Sequence, residues 1–346
     1  MDVEILKSSE FDLDNFLLDI ETTLIYNSNK YSNFLEVFTG EETNIIIVKD
    51  GENILGILPY TIKHNDKYGN VINSLPFYGS NGGIIAKKFD EKVYQLLLNK
   101  FDDIAIINKC VASTIITSPF EKNNDWISNN YVCDFKDYRI GQITFLPELP
   151  EKVMDVLHSK TRNTVRKAMK TVEVVNYEKG LEYLDFIFET HKENLTAING
   201  LYKPKDFFDK ICQTFEYKKE FKIYIGFDAD GNPITGLMNL YFNKTVEYFC
   251  PVTVSKYREL QPLSGLIYQA MMDAVTDGYR YWNWGGTWAS QGGVYNFKSR
   301  WGTSDLNYFY YTKLYDKSIL NLSSSELLTQ YPYFFVIPFN KLIVSQ

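Results

Sequence analysis

Residues 282–302 read WNWGGTWASQGGVYNFKSRWG, and no other stretch of the chain is as informative. An apolar run leads into one pair of glycines, a short polar loop, a second pair of glycines and the step Phe297-Lys298. Because glycine has no Cβ, the backbone at Gly285 and Gly286 can approach a ligand closely. The pattern predicts a strand that ends at the floor of a binding cleft, with Lys298 directed into that cleft.

Lys298 is the candidate catalytic residue of this stretch. The adjacent Phe297 would place the lysine ammonium beside an apolar wall, where a cation can stabilise the oxyanion of a tetrahedral intermediate. Loss of one such donor typically slows a reaction by ~10²–10³-fold. Composition alone favours a structural turn that carries a surface lysine, so both interpretations stay open at this point.

The residues before this stretch predict a mixture of strands and helices. A helix over residues 263–277 is followed by Gly278, and glycine is typical of helix C-caps. Residues 221–243 predict a β-hairpin with its turn at residues 228–232. Residues 245–251 and 281–284 predict two further strands.

Two hairpin sequences in the chain are similar to each other. Residues 45–56 read IIIVKDGENILG and residues 222–236 read KIYIGFDADGNPITG, and each ends in aliphatic or β-branched residues followed by glycine. A length of 346 residues is more than one hydrophobic core usually serves. The segment LPELP at residues 146–150 is the best candidate linker. These features predict an internal duplication and two domains.

Four further segments carry patterns that predict single elements. Helical periodicity predicts helices over residues 11–28 and 150–170, and residues 104–107 resemble a strand. The apolar segment 331–344 is shorter than the ~20 residues that span a bilayer and contains two prolines. It predicts a strand packed on the core, with a membrane-contacting patch as the alternative.

Charge and cysteine content exclude several classes of protein. The net charge is −7, so the protein surface as a whole is not expected to bind nucleic acid. A polyanionic ligand would have to bind at a local basic patch. The four cysteines and three histidines are scattered, which predicts neither a metal site nor a disulfide framework. The P-loop ending GK[ST] and the GxSxG elbow of hydrolases are also missing.

The helix predicted at residues 150–170 carries the local basic patch. Five basic residues and no acidic one lie between Asp155 and Glu173. Arg162, Arg166 and Lys170 follow each other at intervals of four, so they share one helix face. Arginine holds phosphate with two parallel hydrogen bonds, which favours a phosphate contact, whereas the alternative is a solvated face. Val165, Ala168 and Met169 are expected to face the core.

Several of these segments together resemble the FemABX-like proteins. The matching sequences are WGG at 284–286, FKSRWG at 297–302, RNTVRKA at 162–168 and the loop LPFYGSNGG at 75–83. This group includes peptidoglycan bridge-forming aminoacyltransferases and related GNAT-like acyltransferases of surface glycans. The resemblance implies an α+β (mixed α/β) fold with two tandem GNAT-like domains and central mixed sheets. Domain 1 would span residues 1–147 with 318–346 packed back onto it, and domain 2 residues 148–317.

The resemblance also implies an activity and a set of site residues. Such enzymes transfer an acyl group to an amine, often on a cell-wall precursor that carries a pyrophosphate, and Lys298 would be the catalytic cation. Glu247 and Tyr248 are candidates for deprotonating the amine. The residues expected to bind substrate are Arg162, Arg166, Lys170, Gly285, Gly286, Phe297, Tyr78 and Asn81.

The acyl donor stays open between aminoacyl-tRNA and acyl-CoA, and no tightly bound cofactor is expected. The acidic surface disfavours tRNA. Residues 257–265, YRELQPLSG, lack the CoA pyrophosphate pattern Q/R-x-x-G-x-G/A, although Gly265 is expected to present a free N–H at the start of the helix. The alternatives are therefore an aminoacyl-tRNA-dependent transferase, an acyl-CoA-dependent N-acetyltransferase on an amino sugar or nucleotide sugar, and a non-catalytic GNAT-like binding module.

The expected partner is a phosphate-bearing glycan or peptidoglycan precursor, with tRNA as a further candidate. The start of the chain is polar and acidic, which is unlike a signal peptide. We therefore expect a cytoplasmic protein, with peripheral contact to the inner face of the membrane as an open alternative. The sequence carries no signal for the oligomeric state.

Overall fold

The computed structural model describes residues 1–77, 79–175 and 177–343, and the chain divides into two units. Unit 1 consists of Met1–Ile140 and Asn307–Gln346, and unit 2 of Gly141–Leu306. The chain therefore leaves unit 1 once and returns to it once.

The first part of unit 1 is built from β-branched and aliphatic runs that pair into a sheet. Its strands are β1 (Asp2–Lys7), β2 (Thr43–Asp50), β3 (Asn53–Lys63), β4 (Asn70–Asn73), β5 (Ile85–Ala86), β6 (Cys110–Ile116) and β7 (Phe135–Phe145), the last of which ends in unit 2. Its helices are α1 (Asp14–Leu18), α2 (Asn29–Thr39), α3 (Glu91–Ile107) and α4 (Asn124–Asn130). Strands β1 to β4 are antiparallel neighbours, and β4 pairs with β6 in parallel.

Unit 2 combines an antiparallel sheet with one parallel strand. Its helices are α5 (Val153–Val156), α6 (Ser159–Thr171), α7 (Leu184–Thr196), α8 (Lys205–Thr214), α9 (Leu263–Thr276) and α10 (Gly292–Ser299). Its strands are β8 (Glu173–Val175), β9 (Phe221–Phe227), β10 (Pro233–Phe242), β11 (Thr245–Thr253) and β12 (Tyr281–Thr287). Strands β8 to β11 are antiparallel, and β12 pairs with β11 in parallel. The parallel pair needs a crossover connection, which α9 supplies.

The apolar face of α9 covers the core of unit 2. Leu266, Ile267 and Met271 of this helix are buried together with Trp282 of β12 and Val165 of α6. Gly278 after α9 has a φ of +82°, so the expected C-cap glycine is confirmed. Because α9 and β12 follow each other along the chain and are buried in the same core, the end of β12 is held in a fixed position.

The chain returns to unit 1 through β13 (Thr303–Leu314), followed by α11 (Ser324–Gln330). Strand β13 pairs antiparallel with β6. Apolar residues after β13, including Ile319, Tyr331 and Ile337, pack against Val71 and Val111 of β4 and β6. Both units are thus mixed α/β structures with mixed sheets, which confirms the predicted fold class.

Several element predictions were wrong. Residues 11–28 do not form one helix: α1 ends at Leu18, and Ser28 caps the next helix, α2, with its side chain. Residues 104–107 belong to the end of α3. The helix predicted at 150–170 is broken at Leu157 and His158, where the backbone is extended and the His158 N–H donates to the Arg300 carbonyl at 2.9 Å.

The C-terminal segment also differs from its prediction. The described residues 331–343 contain no strand, since Pro332 and Pro338 cannot donate to a sheet ladder. Phe334, Val336 and Ile337 are nevertheless buried in the core of unit 1, and Ile343 is exposed. Within the part of the chain that is described, no helix is long and apolar enough to cross a membrane.

Candidate active site

Gly285 and Gly286, called the glycine step below, lie at the end of β12 and are the starting point of the candidate site. Gly285 has a φ of +69°, a backbone conformation that favours glycine, and a Cβ there would meet nothing within 4 Å. Trp282 and Trp284 anchor the same strand in the core of unit 2. The chain then forms helix α10 over Gly292–Ser299, so Lys298 lies in the last turn of a helix rather than in a loop.

The ammonium of Lys298 turns back towards the end of β12. Its Nζ lies 2.9 Å from Thr287 Oγ1, 3.3 Å from the Gly286 carbonyl and 3.4 Å from the Gly285 carbonyl. The side chain is only 7% exposed, and this burial lowers the pKa of Lys298 to about 8. The two carbonyl contacts are at the long end of hydrogen-bond geometry, so an oxyanion would compete well for the same protons.

Glu247 is linked to the same glycine step through Asn283. The two residues are parallel partners on β11 and β12, and Asn283 Nδ2 donates to both carboxylate oxygens at 2.9 and 3.1 Å. Asn283 Oδ1 accepts the N–H of Gly285 at 2.9 Å. Glu247 is buried, at 2% exposure. Asn283 thus links Glu247 to Gly285, and the carbonyl of Gly285 is contacted by Lys298.

Tyr248 is better suited to donate a proton than to accept one. Its ring lies 4.8 Å from that of Trp284, centroid to centroid, on the aromatic side of β12. Burial raises the pKa of Tyr248 well above its ordinary value, so the phenol stays protonated at neutral pH. Glu247 therefore remains the better candidate for the base.

The basic face of α6 lies on the outside of unit 2. Arg166 and Lys170 are exposed, whereas half-buried Arg162 donates from Nη1 to the Leu157 carbonyl at 2.8 Å. No carboxylate of the described residues lies within salt-bridge distance of these three side chains. Val165 and Ala168 face the core as expected, but Met169 is exposed, which corrects that part of the prediction.

Two predicted substrate-binding residues belong to unit 1. Tyr78 lies outside the described residues. Asn81 is buried, donates from Nδ2 to the Thr117 carbonyl at 2.7 Å and accepts at its backbone carbonyl from Asn27 Nδ2 at 3.0 Å. Its amide therefore fixes the loop to the core of unit 1, and we leave it out of the candidate site.

The start of α9 offers less to a pyrophosphate than the sequence indicated. The Gly265 N–H was expected to be free, and this is wrong, because it donates to the Pro262 carbonyl at 3.1 Å. The Ser264 N–H donates to the Gln261 carbonyl, also at 3.1 Å. Among the residues that are described, no three His, Cys, Asp or Glu side chains are grouped so as to hold a metal.

Sequence reasoning missed the residues that hold the candidate catalytic groups in place. Asn283 orients Glu247, and Gln142 Oε1 accepts the hydroxyl hydrogen of Thr287, the closest partner of Lys298. Asn283 carried a signal, since it is the one polar residue between two tryptophans on an apolar strand. Gln142 carried no such signal, because its contact with Thr287 depends on where the strands β7 and β12 lie in the folded unit.

Part of unit 2 matches a known protein family. Residues 159–299, from the start of α6 to the end of α10, match the model of the acetyltransferase (GNAT) domain. Residues 159–299 of this chain thus form a GNAT acetyltransferase domain. This confirms the predicted FemABX-like and GNAT-like kinship and the assignment of the chain as an acyltransferase.

Solved structures of the same fold cover nearly the whole chain. FemX matches with a TM-score of 0.72 and 14% identity, over 92% of this chain and 98% of FemX. L-PGS from Bacillus licheniformis matches with a TM-score of 0.51 and 10% identity, over 88% and 92%. A tandem GNAT protein from the clavulanic acid biosynthesis pathway has a TM-score of 0.50 and 7% identity, over 90% and 98%. Comparison with curated protein sequences gives no match.

Proposed function

We propose that this GNAT-like acyltransferase moves an aminoacyl or acyl group onto an amine of a cell-wall or surface-glycan precursor. The observation that carries the proposal is the ammonium of Lys298, which is buried against the end of β12 and linked through Gly285 and Asn283 to the carboxylate of Glu247. One cation and one carboxylate around an open glycine step are the groups that acyl transfer to an amine requires.

In the proposed mechanism the acceptor amine attacks the carbonyl carbon of the donor. A C–N bond forms, and the carbonyl oxygen becomes an oxyanion that the Lys298 ammonium stabilises in place of its long carbonyl contacts. Glu247, held by Asn283, accepts the proton that the amine releases, directly or through one water. The bond to the leaving oxygen or sulfur breaks, and that atom takes up the proton.

Aminoacyl-tRNA is the better supported donor. The first amides of α9 are hydrogen-bonded to Gln261 and Pro262, so the site where a GNAT domain would receive a CoA pyrophosphate is short of donors. The exposed cations Arg166 and Lys170 would meet phosphate groups of the acceptor or of the tRNA.

A donor assay tests the proposal. The purified protein is incubated with labelled acetyl-CoA and, separately, with tRNA charged with labelled amino acids, each with a nucleotide-linked muropeptide acceptor and with free amino sugars. We expect label to move to the acceptor from charged tRNA only. Transfer from acetyl-CoA alone would favour the N-acetyltransferase, and binding without transfer from either donor would favour the non-catalytic module.

The phosphate contact has its own test. In the double variant Arg166→Ala with Lys170→Ala, we expect the KM for a phosphate-bearing acceptor to rise about tenfold or more at unchanged kcat, since hydrogen bonds to charged groups contribute about 1.5–3 kcal/mol. Lys88→Ala with Lys92→Ala, two exposed lysines of unit 1, is the matched control. An equal KM in both double variants would mean that the basic face of α6 is only solvated.

A further inference from the structure

Unit 2 contains a half-buried cation, Lys203, that the proposed mechanism does not use. Lys203 lies in the connection between α7 and α8, and its Nζ is 5.1 Å from the ring centroid of Phe249 and 5.9 Å from that of Phe207. Within residues 1–77, 79–175 and 177–343, no carboxylate lies within 4 Å of this ammonium. The two rings are stacked on each other with centroids 5.8 Å apart, so the ammonium lies beside this pair, mainly over Phe249, and has no counter-ion.

The position of Lys203 is fixed by a buried histidine. His191 of α7 accepts the backbone N–H of Lys203 at Nε2, at 3.1 Å, and its Nδ1 lies 3.6 Å from Cys250 Sγ on β11. Burial and the nearby charge of Lys203 lower the pKa of His191 to about 4, so the ring is neutral at physiological pH. Because Nε2 accepts a hydrogen bond, the ring proton resides on Nδ1 and faces the sulfur. The connection is thereby tied to β11.

A β-bulge turns Phe249 towards Lys203. In the ladder between β10 and β11, Asn239 is opposite Tyr248 and Met238 is opposite Cys250, which leaves Phe249 without a partner. Such bulges redirect a side chain and are frequent next to active sites. Phe249 follows Glu247 by two residues, which is about 7 Å along a strand. Lys203 therefore contacts the strand that carries the candidate base, two residues beyond it.

The energetics of this site favour an anionic ligand. Burial lowers the pKa of the half-buried Lys203, because the protein around it removes part of the water from the charged form. Contact with each aromatic ring recovers about 0.5–2 kcal/mol, and an anion at hydrogen-bond distance would recover more. A carboxylate matches the single charge of Lys203, whereas a phosphate dianion would leave one charge uncompensated between apolar walls.

We propose that Lys203 binds a carboxylate group of the acceptor, so that the acceptor is an amine that carries a nearby carboxylate, such as an amino acid or a peptide end, rather than a plain amino sugar. This inference rests on the proposed acyl transfer and names the acceptor class for the same site. Half-buried Phe249 would contact the carbon skeleton next to the carboxylate, and the fully buried Phe207 supports Phe249 from behind.

A binding experiment tests this independently of turnover. The protein is labelled with [ε-¹³C]lysine, and the Lys203 signal is assigned by its loss in Lys203→Met. Sodium acetate and inorganic phosphate are titrated in separately at constant ionic strength. Lys256 is the matched control, since its Nζ also lies over an aromatic ring, 4.7 Å from the centroid of Tyr257, but its side chain is exposed.

We expect acetate to shift the Lys203 signal to saturation while the Lys256 signal moves little. Equal shifts of both signals, a shift with phosphate only, or no shift would each overturn the carboxylate site, whatever the result of the donor assay. With an active acceptor in hand, Lys203→Met should raise the KM for its carboxylate form about tenfold and leave the KM for its carboxamide form unchanged, as hydrogen bonds between charged groups contribute about 1.5–3 kcal/mol. Lys203→Arg should retain part of this discrimination.

Discussion

The two glycine-rich segments, residues 75–83 and 285–293, have similar compositions, but the pair Gly82-Gly83 and the pair Gly292-Gly293 lie in opposite environments. In unit 1, a Cβ at Gly82 would lie 2.6 Å from Leu75 Cγ, and a Cβ at Gly83 would lie 2.8 Å from Thr117 Cα. These glycines are required by close packing. The buried amide of Asn81, next to them, is used to fix the loop to the core.

The loop of unit 2 borders open space. A Cβ at Gly285, Gly292 or Gly293 would meet nothing within 4 Å. The polar group next to this loop is the ammonium of Lys298, held by a 2.9 Å contact to Thr287 and by two longer contacts to backbone carbonyls. The comparison shows that a glycine-rich sequence can serve packing in one unit and access in the other, and that only the neighbours of each glycine separate the two uses.

The largest expected effect tests whether unit 2 alone carries the chemistry. Lys298→Ala should lower turnover by ~10²–10³-fold, because it removes the donor to the oxyanion. Asn81→Ala in unit 1 should instead lower the free energy of unfolding by about 1–3 kcal/mol and leave turnover per folded molecule unchanged. Transfer rates and urea denaturation measure the two quantities. A Lys298→Ala enzyme with unchanged turnover would remove the distinction between the loops.

Gly83→Ala tests the packing side of the comparison. The added methyl group meets backbone at Thr117, so we expect the free energy of unfolding to fall by about 1–3 kcal/mol. Denaturant unfolding followed by circular dichroism measures this value. If Gly83→Ala were as stable as the wild type, close packing would not be the reason for glycine in this loop.

The pH dependence of turnover tests the state of Lys298. Its pKa of about 8 means that the ammonium loses its proton above that pH, so turnover should fall about tenfold per pH unit there if the cation is required. Lys298→Arg keeps the positive charge at all these pH values and should abolish the falling limb. A rate that keeps rising through pH 9 in the wild type would indicate that neutral Lys298 is the active form.

The lowered pKa of Lys298 should also make the free energy of unfolding depend on pH. Its folded pKa lies below the ordinary value of 10.5, so the unfolded chain binds more protons between about pH 8 and pH 10.5. The free energy of unfolding should therefore rise with pH across this window relative to Lys298→Met. Denaturation of the two proteins at several pH values measures the difference.

The smallest effect is expected at Gly292, in the open loop. Alanine fits the first turn of α10 without a contact, so Gly292→Ala should raise the free energy of unfolding by about 0.4–1 kcal/mol, because alanine restricts the unfolded chain. Thermal denaturation against Gly83→Ala gives the contrast directly. A clear loss of stability at Gly292 would show that this loop is also packed.

Patterns of residues close together in the sequence predicted the elements that are determined by local contacts. The hairpin of β9 and β10, helix α9 and its glycine cap all followed from periodicity and turn residues, and so did the mixed α/β class. The sequence did not predict helix α10, because Gly292 and Gly293 disfavour a helix. In the structure, packing of Trp284 against Phe297 and Trp301 overrides that preference.

Contacts between distant residues could not be derived from the sequence. The pairing of Glu247 with Asn283 depends on the register of two parallel strands, 36 positions apart, across the α9 crossover. The amides of Ser264 and Gly265 donate to the carbonyls of Gln261 and Pro262, in a turn where Gln261 is left-handed although it is not glycine. The site residues themselves stay predictions until the variants above are measured.

The interruption of unit 1 by unit 2 affects the order in which the chain can fold during synthesis. Thr114 of β6 and its partner Thr312 of β13 are 198 positions apart, and all of unit 2 is translated between them. A ribosome that adds 5–20 residues per second needs about 10–40 s for that distance. Through this interval the β13-facing edge of β6 has no strand to pair with, while the continuous stretch Gly141–Leu306 can already form its core. The nascent chain thus exposes an unfinished sheet edge of the kind that chaperones shield.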